Sequence, residues 1–254
     1  IKTIVTEDQA SQQHVGITLD YDAFGREVTR TFDLNGTERT LTQVYDEVDA
    51  LVQKTLREGS VVIRDEHYGY DPRGRLETYT CSGTELPTDP YGQVITDQTF
   101  IYDALDNLLR VITGKNVATY YYDNANDPTQ LTRVTNTNTD AGYPDVISLS
   151  YDADGNLTTD EAGRTLEYDA LGRLLSVSSQ DGSDPSHYRF DPLDTLASSA
   201  EGGSTEHRFY QTGDLTNTLK DGKGKTFLRG GGVLLGELED AANTLLVSDQ
   251  HNSV

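Results

Sequence analysis

No methionine and no tryptophan occur in these 254 residues, and cysteine occurs once, at Cys81. A single cysteine cannot close an internal disulfide, so Cys81 reads as a free structural thiol. Basic residues are scarce: 20 Lys and Arg stand against 42 Asp and Glu, for a formal net charge of −22. Such a chain repels phosphate backbones and anionic lipid surfaces, which argues against nucleic-acid and membrane partners. No run of about 18 apolar residues is present, and the N-terminus carries no signal-peptide pattern. Long stretches of 3.6-residue periodicity are missing as well, because Asp, Gly, Asn and Thr are too dense. The lack of an initiating methionine and the stop at Val254 suggest a segment of a longer protein.

What is present is a phrase. It reads YDAFGRE at Tyr21, YDEVDAL at Tyr45, YDPRGRL at Tyr70, YDALDNL at Tyr102, YDADGNL at Tyr151, YDALGRL at Tyr168 and FDPLDTL at Phe190. An internal repeat of this length sets the architecture of the whole chain. Two further segments resemble decayed copies. At Tyr122 the turn is expanded and the Leu is delayed to Leu131; at Phe209 the string FYQTGDL keeps an aromatic, Gly213 and Leu215. Spacing runs from 17 residues (Tyr151 to Tyr168) to 32 (Tyr70 to Tyr102), which argues against the fixed period of a propeller or helical solenoid.

The offsets within the phrase describe a β-hairpin with a three-residue loop. Asp is favoured at the start of a type I turn, and Pro72 and Pro192 occupy the position favoured for proline. The fourth turn residue must enter the left-handed region, which Gly, Asn and Asp tolerate. Gly25, Asp49, Gly74, Asp106, Gly155, Gly172 and Asp194 stand there. This geometry places Asp71 opposite Arg75 and Asp169 opposite Arg173. It pairs Tyr70 with Leu76, Tyr102 with Leu108, Tyr151 with Leu157 and Tyr168 with Leu174. Cross-strand pairs of these kinds contribute roughly 0.2–1 kcal/mol each, so only a stacked series holds a sheet. The first copy has Glu27 in place of Leu and loses the apolar pair. An apolar fraction of 35%, with Tyr, Thr and Val prominent, suits a thin two-faced sheet. The expected fold is all-β, a series of antiparallel hairpins in a curved or spiralling sheet. Residues 1–221 form the repeat region and 222–254 its Gly-rich end, with no linker between folding units.

Catalytic chemistry finds little footing. Gly222–Thr226 suggests a phosphate loop, but the Gly that a Walker motif needs five residues earlier is replaced by Leu219. Asp152 to Asn156 resembles a calcium loop, yet Gly155 comes fourth where an EF-hand needs it sixth. The five histidines (His14, His67, His187, His207, His251) lack metal-ligand spacing, and no nucleophile signature is present. The sequence implies no enzyme, no cofactor and no metal.

YDPRGRL and YDALGRL closely resemble the YD, or Rhs, repeat, and the likeness runs through roughly residues 15–220. The tail from Gly230 is similar to the end of the repeats in the C component of bacterial insecticidal toxin complexes. The resemblance implies a hollow β-shell that encloses a cytotoxic C-terminal effector, secreted within a toxin complex. Its partners would be the rest of the parent chain, the payload and a B-type component. The conserved core with an autoproteolytic aspartyl site, which follows the repeats in that family, has no match here. What carries over is structural: Tyr70, Tyr102, Tyr151 and Tyr168 as strand anchors, with Leu76, Leu108, Leu157 and Leu174 opposite. Asp71, Asp103, Asp152 and Asp169 are turn caps, and Gly74, Asp106, Gly155 and Gly172 the left-handed pivots. A carbohydrate-binding or adhesion module, with exposed Tyr stacking on sugars, is the alternative; buried Tyr would favour the wall.

Overall fold

The computed structural model describes residues 2–239 and 242–247. Its first strands are β1 (Thr3–Asp8), β2 (Gln13–Tyr21), β3 (Glu27–Leu34), β4 (Thr37–Tyr45), β5 (Leu51–Glu58) and β6 (Val61–Tyr70). Then come β7 (Leu76–Ser82), β8 (Asp97–Tyr102), β9 (Leu108–Thr113), β10 (Asn116–Tyr121), β11 (Arg133–Asn136) and β12 (Val146–Ser148). A ribbon of β13 (Ser150–Tyr151) and β14 (Leu157–Thr159) follows. The last series is β15 (Leu166–Tyr168), β16 (Leu174–Val177), β17 (Ser186–Phe190), β18 (Leu196–Glu201), β19 (Ser204–Gln211), β20 (Asp214–Lys220), β21 (Lys223–Gly230), β22 (Val233–Glu239) and β23 (Ala242–Leu245). Among the described residues one 3-10 turn, Thr139–Ala141, interrupts the strands. The all-β expectation holds.

In each sheet the strands lie in sequence order: twelve from β1 to β12, the β13–β14 pair, and nine from β15 to β23. Each pairing whose register is described is antiparallel, as from β2 to β11 and from β15 to β23. Two compact units emerge, residues 1–5 with 14–147, and residues 6–13 with 148–254. Position 222 falls in the turn between β20 and β21, with the nine-stranded meander continuing on both sides.

In the first unit the two faces of the sheet differ in chemistry. Asp20, Thr29, Thr42, Thr55, Asp65 and Ser82 are successive cross-strand partners. That row is hydroxyl-rich, and Asp65 accepts from Thr55 Oγ1 at 2.7 Å and Gln53 Nε2 at 2.8 Å. Leu19, Arg30, Leu41 and Leu56 form a parallel row on the other face. There Val15, Ile17, Leu19, Phe32 and Leu41 are buried. Alternation of apolar and polar residues along each strand delivers this division. The second unit has a thinner core, with Val177 and Val233 its buried apolar side chains among the described residues.

Two forms of short reversal recur. One is a tight two-residue loop with both residues at positive φ, as at Asn35–Gly36, Gly202–Gly203, Thr212–Gly213, Asp221–Gly222 and Gly231–Gly232. Their twist matches that of the flanking strands. The Gly222–Thr226 segment is one of these turns running into β21, with no helix behind it. The reading of Phe209 as a repeat aromatic needs correction. Its neighbour Tyr210 pairs with Leu215, and the loop at Thr212–Gly213 is two residues long. The second form of reversal has three loop residues and carries the repeat.

Candidate functional site: an array of aspartate-capped turns

Each three-residue loop is built by one aspartate. At Asp71 the backbone N–H donates to Arg75 O at 2.9 Å, and Gly74 N donates to Asp71 O at 2.9 Å. The same pair of bonds recurs at Asp22, Asp46, Asp103, Asp152, Asp169 and Asp191. The carboxylate then fills the loop from inside. Asp71 Oδ1 accepts from the N–H of Arg73 at 2.9 Å and of Arg75 at 3.0 Å. Equivalent bonds reach Asp103 from Leu105 and Asn107, Asp152 from Asp154 and Asn156, and Asp169 from Leu171 and Arg173. Two backbone donors that the turn would leave unpaired are satisfied by one side-chain oxygen.

The second carboxylate oxygen holds the residue after the pivot. Asp71 Oδ2 accepts from Arg75 Nε and Asp169 Oδ2 from Arg173 Nε, each at 2.7 Å. Asn107 and Asn156 donate to Asp103 and Asp152 from their side-chain amides at 2.9 Å. Hydrogen bonds hold these carboxyls below the usual range: chiefly from the Arg75 side chain for Asp71, the Arg173 backbone for Asp169, and the Asn156 side chain for Asp152. For Asp103, burial is the largest single influence and pushes the carboxyl up, and the Asn107 side chain, two backbone N–H groups and the Arg75 charge together carry it below the usual range.

The pivots Gly74, Gly155 and Gly172 sit at φ 78°, 86° and 74°, and Asp106 at 70°. A register shift marks a bulge immediately before each aromatic: at Gly69/Tyr70, Ile101/Tyr102, Ser150/Tyr151 and Glu167/Tyr168. Beyond it the structure pairs Tyr70 with Leu76, Tyr102 with Leu108, Tyr151 with Leu157 and Tyr168 with Leu174. Positive φ at the pivot plus one bulge is the geometry a three-residue hairpin loop demands.

A tie between successive copies joins these local features. Tyr70 Oη donates to Leu51 O at 2.7 Å and Tyr102 Oη to Leu76 O at 2.9 Å. Tyr45 reaches Glu27 O, Tyr122 reaches Leu108 O and Tyr210 reaches Leu196 O, at 3.1, 3.0 and 3.0 Å. In every case the acceptor lies opposite the aromatic of the preceding copy. Tyr70, Tyr102, Tyr151 and Tyr168 are all half-buried. Burial pushes the phenols of Tyr70, Tyr151 and Tyr168 upward. Where Glu27 replaces Leu, it forms a two-pronged ion pair with buried Arg30 at 2.8 and 2.9 Å. The lost apolar pair is thus replaced by a charged one.

Two capped turns escaped the repeat reading. Asp89 and Asp160 make the same loops, with Gly92 and Gly163 as pivots at φ 76° and 74°. Asp160 also accepts from Arg164 Nε at 2.7 Å. Both are preceded by threonine, not tyrosine, and lie in the β7–β8 and β14–β15 connections, which are reversals of the opposite parity. The signal that finds them is Asp-x-x-Gly without its aromatic. Among the described residues no cluster of three or more His, Cys, Asp or Glu could hold a metal ion. Asp152 is occupied in capping its own turn.

Comparison with known proteins places this geometry. No curated protein matches the chain. Solved structures that are similar include TcdB2–TccC3–TEV (15% identity, TM-score 0.46, covering 93% of this chain and 15% of that one). A mutant Tc holotoxin pore from Photorhabdus luminescens gives 14% identity and TM-score 0.48, covering 93% and 17%. The chain thus spans about a sixth of the length of those proteins. The teneurin YD-shell family model matches residues 5–215, so the stretch holding every three-residue capped turn lies inside the match, and the chain belongs to the YD-shell family.

Proposed function

We propose that this chain is a wall segment of an Rhs/YD-repeat toxin, part of a β-shell that encapsulates a cytotoxic C-terminal effector. The observation that carries the reading is the tie between copies: the hydroxyls of Tyr45, Tyr70, Tyr102, Tyr122 and Tyr210 are spent on a carbonyl of the hairpin before. A wall around an unfolded payload needs hairpins locked side by side more than it needs a reactive group. The role is structural, as is that of its family, and catalysis is not assigned to this segment. Its partners are the remainder of the parent chain, the payload and a B-type component, in an extracellular complex. Among the described residues no helix is long and apolar enough to cross a membrane.

The carbohydrate alternative needs free tyrosine faces and hydroxyls. Half-burial and the hydroxyl-to-carbonyl bonds leave it weaker. Light scattering of the chain mixed with a B-type component such as TcdB2 tests the wall. A stoichiometric complex is expected. A folded chain that stays monomeric in that mixture, and that binds a glycan array through its tyrosines, overturns the proposal.

A further inference from the structure

The pivot position poses a puzzle. Glycine occupies it without penalty and aspartate does not, yet Asp49, Asp106 and Asp194 stand there at φ 67°, 70° and 63°. None of the three caps its own turn; that is done by Asp46, Asp103 and Asp191. Their carboxylates point elsewhere, and each accepts a hydrogen bond from the arginine of the preceding repeat copy. Arg26 Nη1 reaches Asp49 Oδ1 at 2.5 Å, Arg75 Nη1 reaches Asp106 Oδ1 at 2.6 Å, and Arg173 Nη1 reaches Asp194 Oδ1 at 2.6 Å.

The same guanidinium makes further contacts. Its Nε is bound to the capping Asp of its own turn, Asp22, Asp71 or Asp169, at 2.7 Å. Its plane lies near the aromatic of the following copy, 4.9 Å from the Tyr45 ring, 4.7 Å from Tyr102 and 5.2 Å from Phe190. Arg75 also donates to the carbonyl of Asp103 at 3.0 Å. One side chain therefore touches its own cap, the neighbour's pivot and the neighbour's aromatic. In sequence, the turns that donate end in Gly–Arg: Gly25–Arg26, Gly74–Arg75 and Gly172–Arg173. Those that accept have no arginine after the pivot: Asp49–Ala50, Asp106–Asn107 and Asp194–Thr195.

We infer that the Gly–Arg and Asp turns are complementary halves of a two-hairpin unit, and that Asp49, Asp106 and Asp194 are specificity-determining residues that select which hairpin lies next to which. Two Gly–Arg turns side by side leave a guanidinium without its carboxylate; two Asp turns side by side bring carboxylates together without a cation. The cost of aspartate in the left-handed region is retained because glycine there forfeits the acceptor. Hairpin order is thereby written in the turns as well as in the strands, so a register error that brings the wrong turns together loses these bonds.

The Arg173–Asp194 pair gives the clean test, because Arg73 adds a second cation to Asp106 at 2.8 Å whereas Leu171 holds the corresponding place beside Asp194. Urea unfolding of the full chain is followed for the parent, Asp194→Gly, Arg173→Gln and the double variant, together with native-state hydrogen exchange of the Asp194 and Thr195 amides. Asp194→Gly is expected to lower the opening constant's protection when Arg173 is present and to raise it when Arg173 is Gln. The coupling expected is about three- to ten-fold. The exchanged arrangement, Gly172→Asp with Asp194→Gly, keeps composition constant and is expected to lose protection at both turns. Additive single changes, or an exchanged protein as protected as the parent, overturn the inference. The amide readout decides the matter even where the global transition of the two units does not resolve it.

Discussion

Up to the turn after Phe190 capped three-residue loops recur among other kinds of reversal, while from β18 onward every described reversal is a tight two-residue loop. Capped loops take their shape from a side chain: one carboxylate binds two backbone N–H groups and holds the residue behind the pivot. Tight loops take theirs from two consecutive residues at positive φ, as at Gly202–Gly203 and Gly231–Gly232. The capped kind offers its neighbour an arginine-to-aspartate bond from turn to turn, whereas a tight loop such as Asp221–Gly222 or Asn35–Gly36 accepts only a neutral hydrogen bond, from Ser204 Oγ or the His14 N–H. A wall that must be ordered along its length is therefore better served by the first design. The family match ends at residue 215, within the stretch of tight loops.

The largest expected contrast concerns the aromatic tie, which both stretches possess. Tyr102 is half-buried, bonds Leu76 O and lies under Arg75. Tyr210 makes the same hydrogen bond to Leu196 O but is 36% exposed. Tyr102→Ala should cost about 2 kcal/mol and Tyr210→Ala less than about 1 kcal/mol, scaled down from fully buried aromatics. Chemical denaturation with each variant checks this. Equal losses would mean that the hydroxyl bond alone sets the energy and that packing in the capped stretch is no better.

A change at the pivot should erase the contrast. Gly74 at φ 78° and Gly213 at φ 90° both have open space where a Cβ would go, so the cost of a side chain there is conformational and not steric. Gly74→Val and Gly213→Val should each lose about 1–2 kcal/mol. Loss at Gly74 alone would show that the tight loop can rearrange where the capped one cannot.

Acid should separate the stretches by mechanism. The carboxyls of Asp71, Asp152 and Asp169 are held below the ordinary value of about 3.9. A depressed carboxyl contributes stability that is fully present above the unfolded value and is lost as pH falls through the folded one. Lowering the pH from 5 into the region below about 3.9 should therefore loosen the capped turns first. Hydrogen exchange, corrected for intrinsic rates, should show Arg75 and Arg173 amides losing protection before those of Ser204 and Val233. Simultaneous loss would show that the caps do not govern local opening.

How much of this was readable in advance follows from how local each cause is. An Asp cap and a left-handed pivot are decided within five residues, so Gly74, Asp106, Gly155 and Gly172 could be read from the string. The cross-strand partners Tyr70 and Leu76 follow from loop length. Asp89 and Asp160 are not marked by the repeat phrase, because the opposite parity of reversal lacks the aromatic on which that phrase is anchored. Tyr210 and not Phe209 takes the repeat aromatic's place because a two-residue loop shifts the pairing by one, and side-chain period in a strand is two. The Arg173–Asp194 bond could not be read at all, since it requires knowing which turns are neighbours.

The smallest expected effect lies in the tight-loop stretch, where charge is arranged along strands and not in turns. Lys225 on β21 meets Glu237 at 2.9 Å and Glu239 at 3.8 Å. Its ammonium is held above its ordinary value first by the Glu237 hydrogen bond, with burial opposing it and the charges of Glu237 and Glu239 assisting. A raised lysine contributes stability that is present below its unfolded value and lost as pH rises through the folded one, so the pair acts across neutral pH and fades only in strong alkali. With about a third of each of Lys225 and Glu237 exposed, solvent screens the pair, and Lys225→Gln should cost only a few tenths of a kcal/mol. Arg173→Gln, whose guanidinium serves two carboxylates and a ring, should cost several times more in the same melts. If the two changes cost the same, the turn arginine is one more surface ion pair, and the capped loops owe their order to backbone geometry alone.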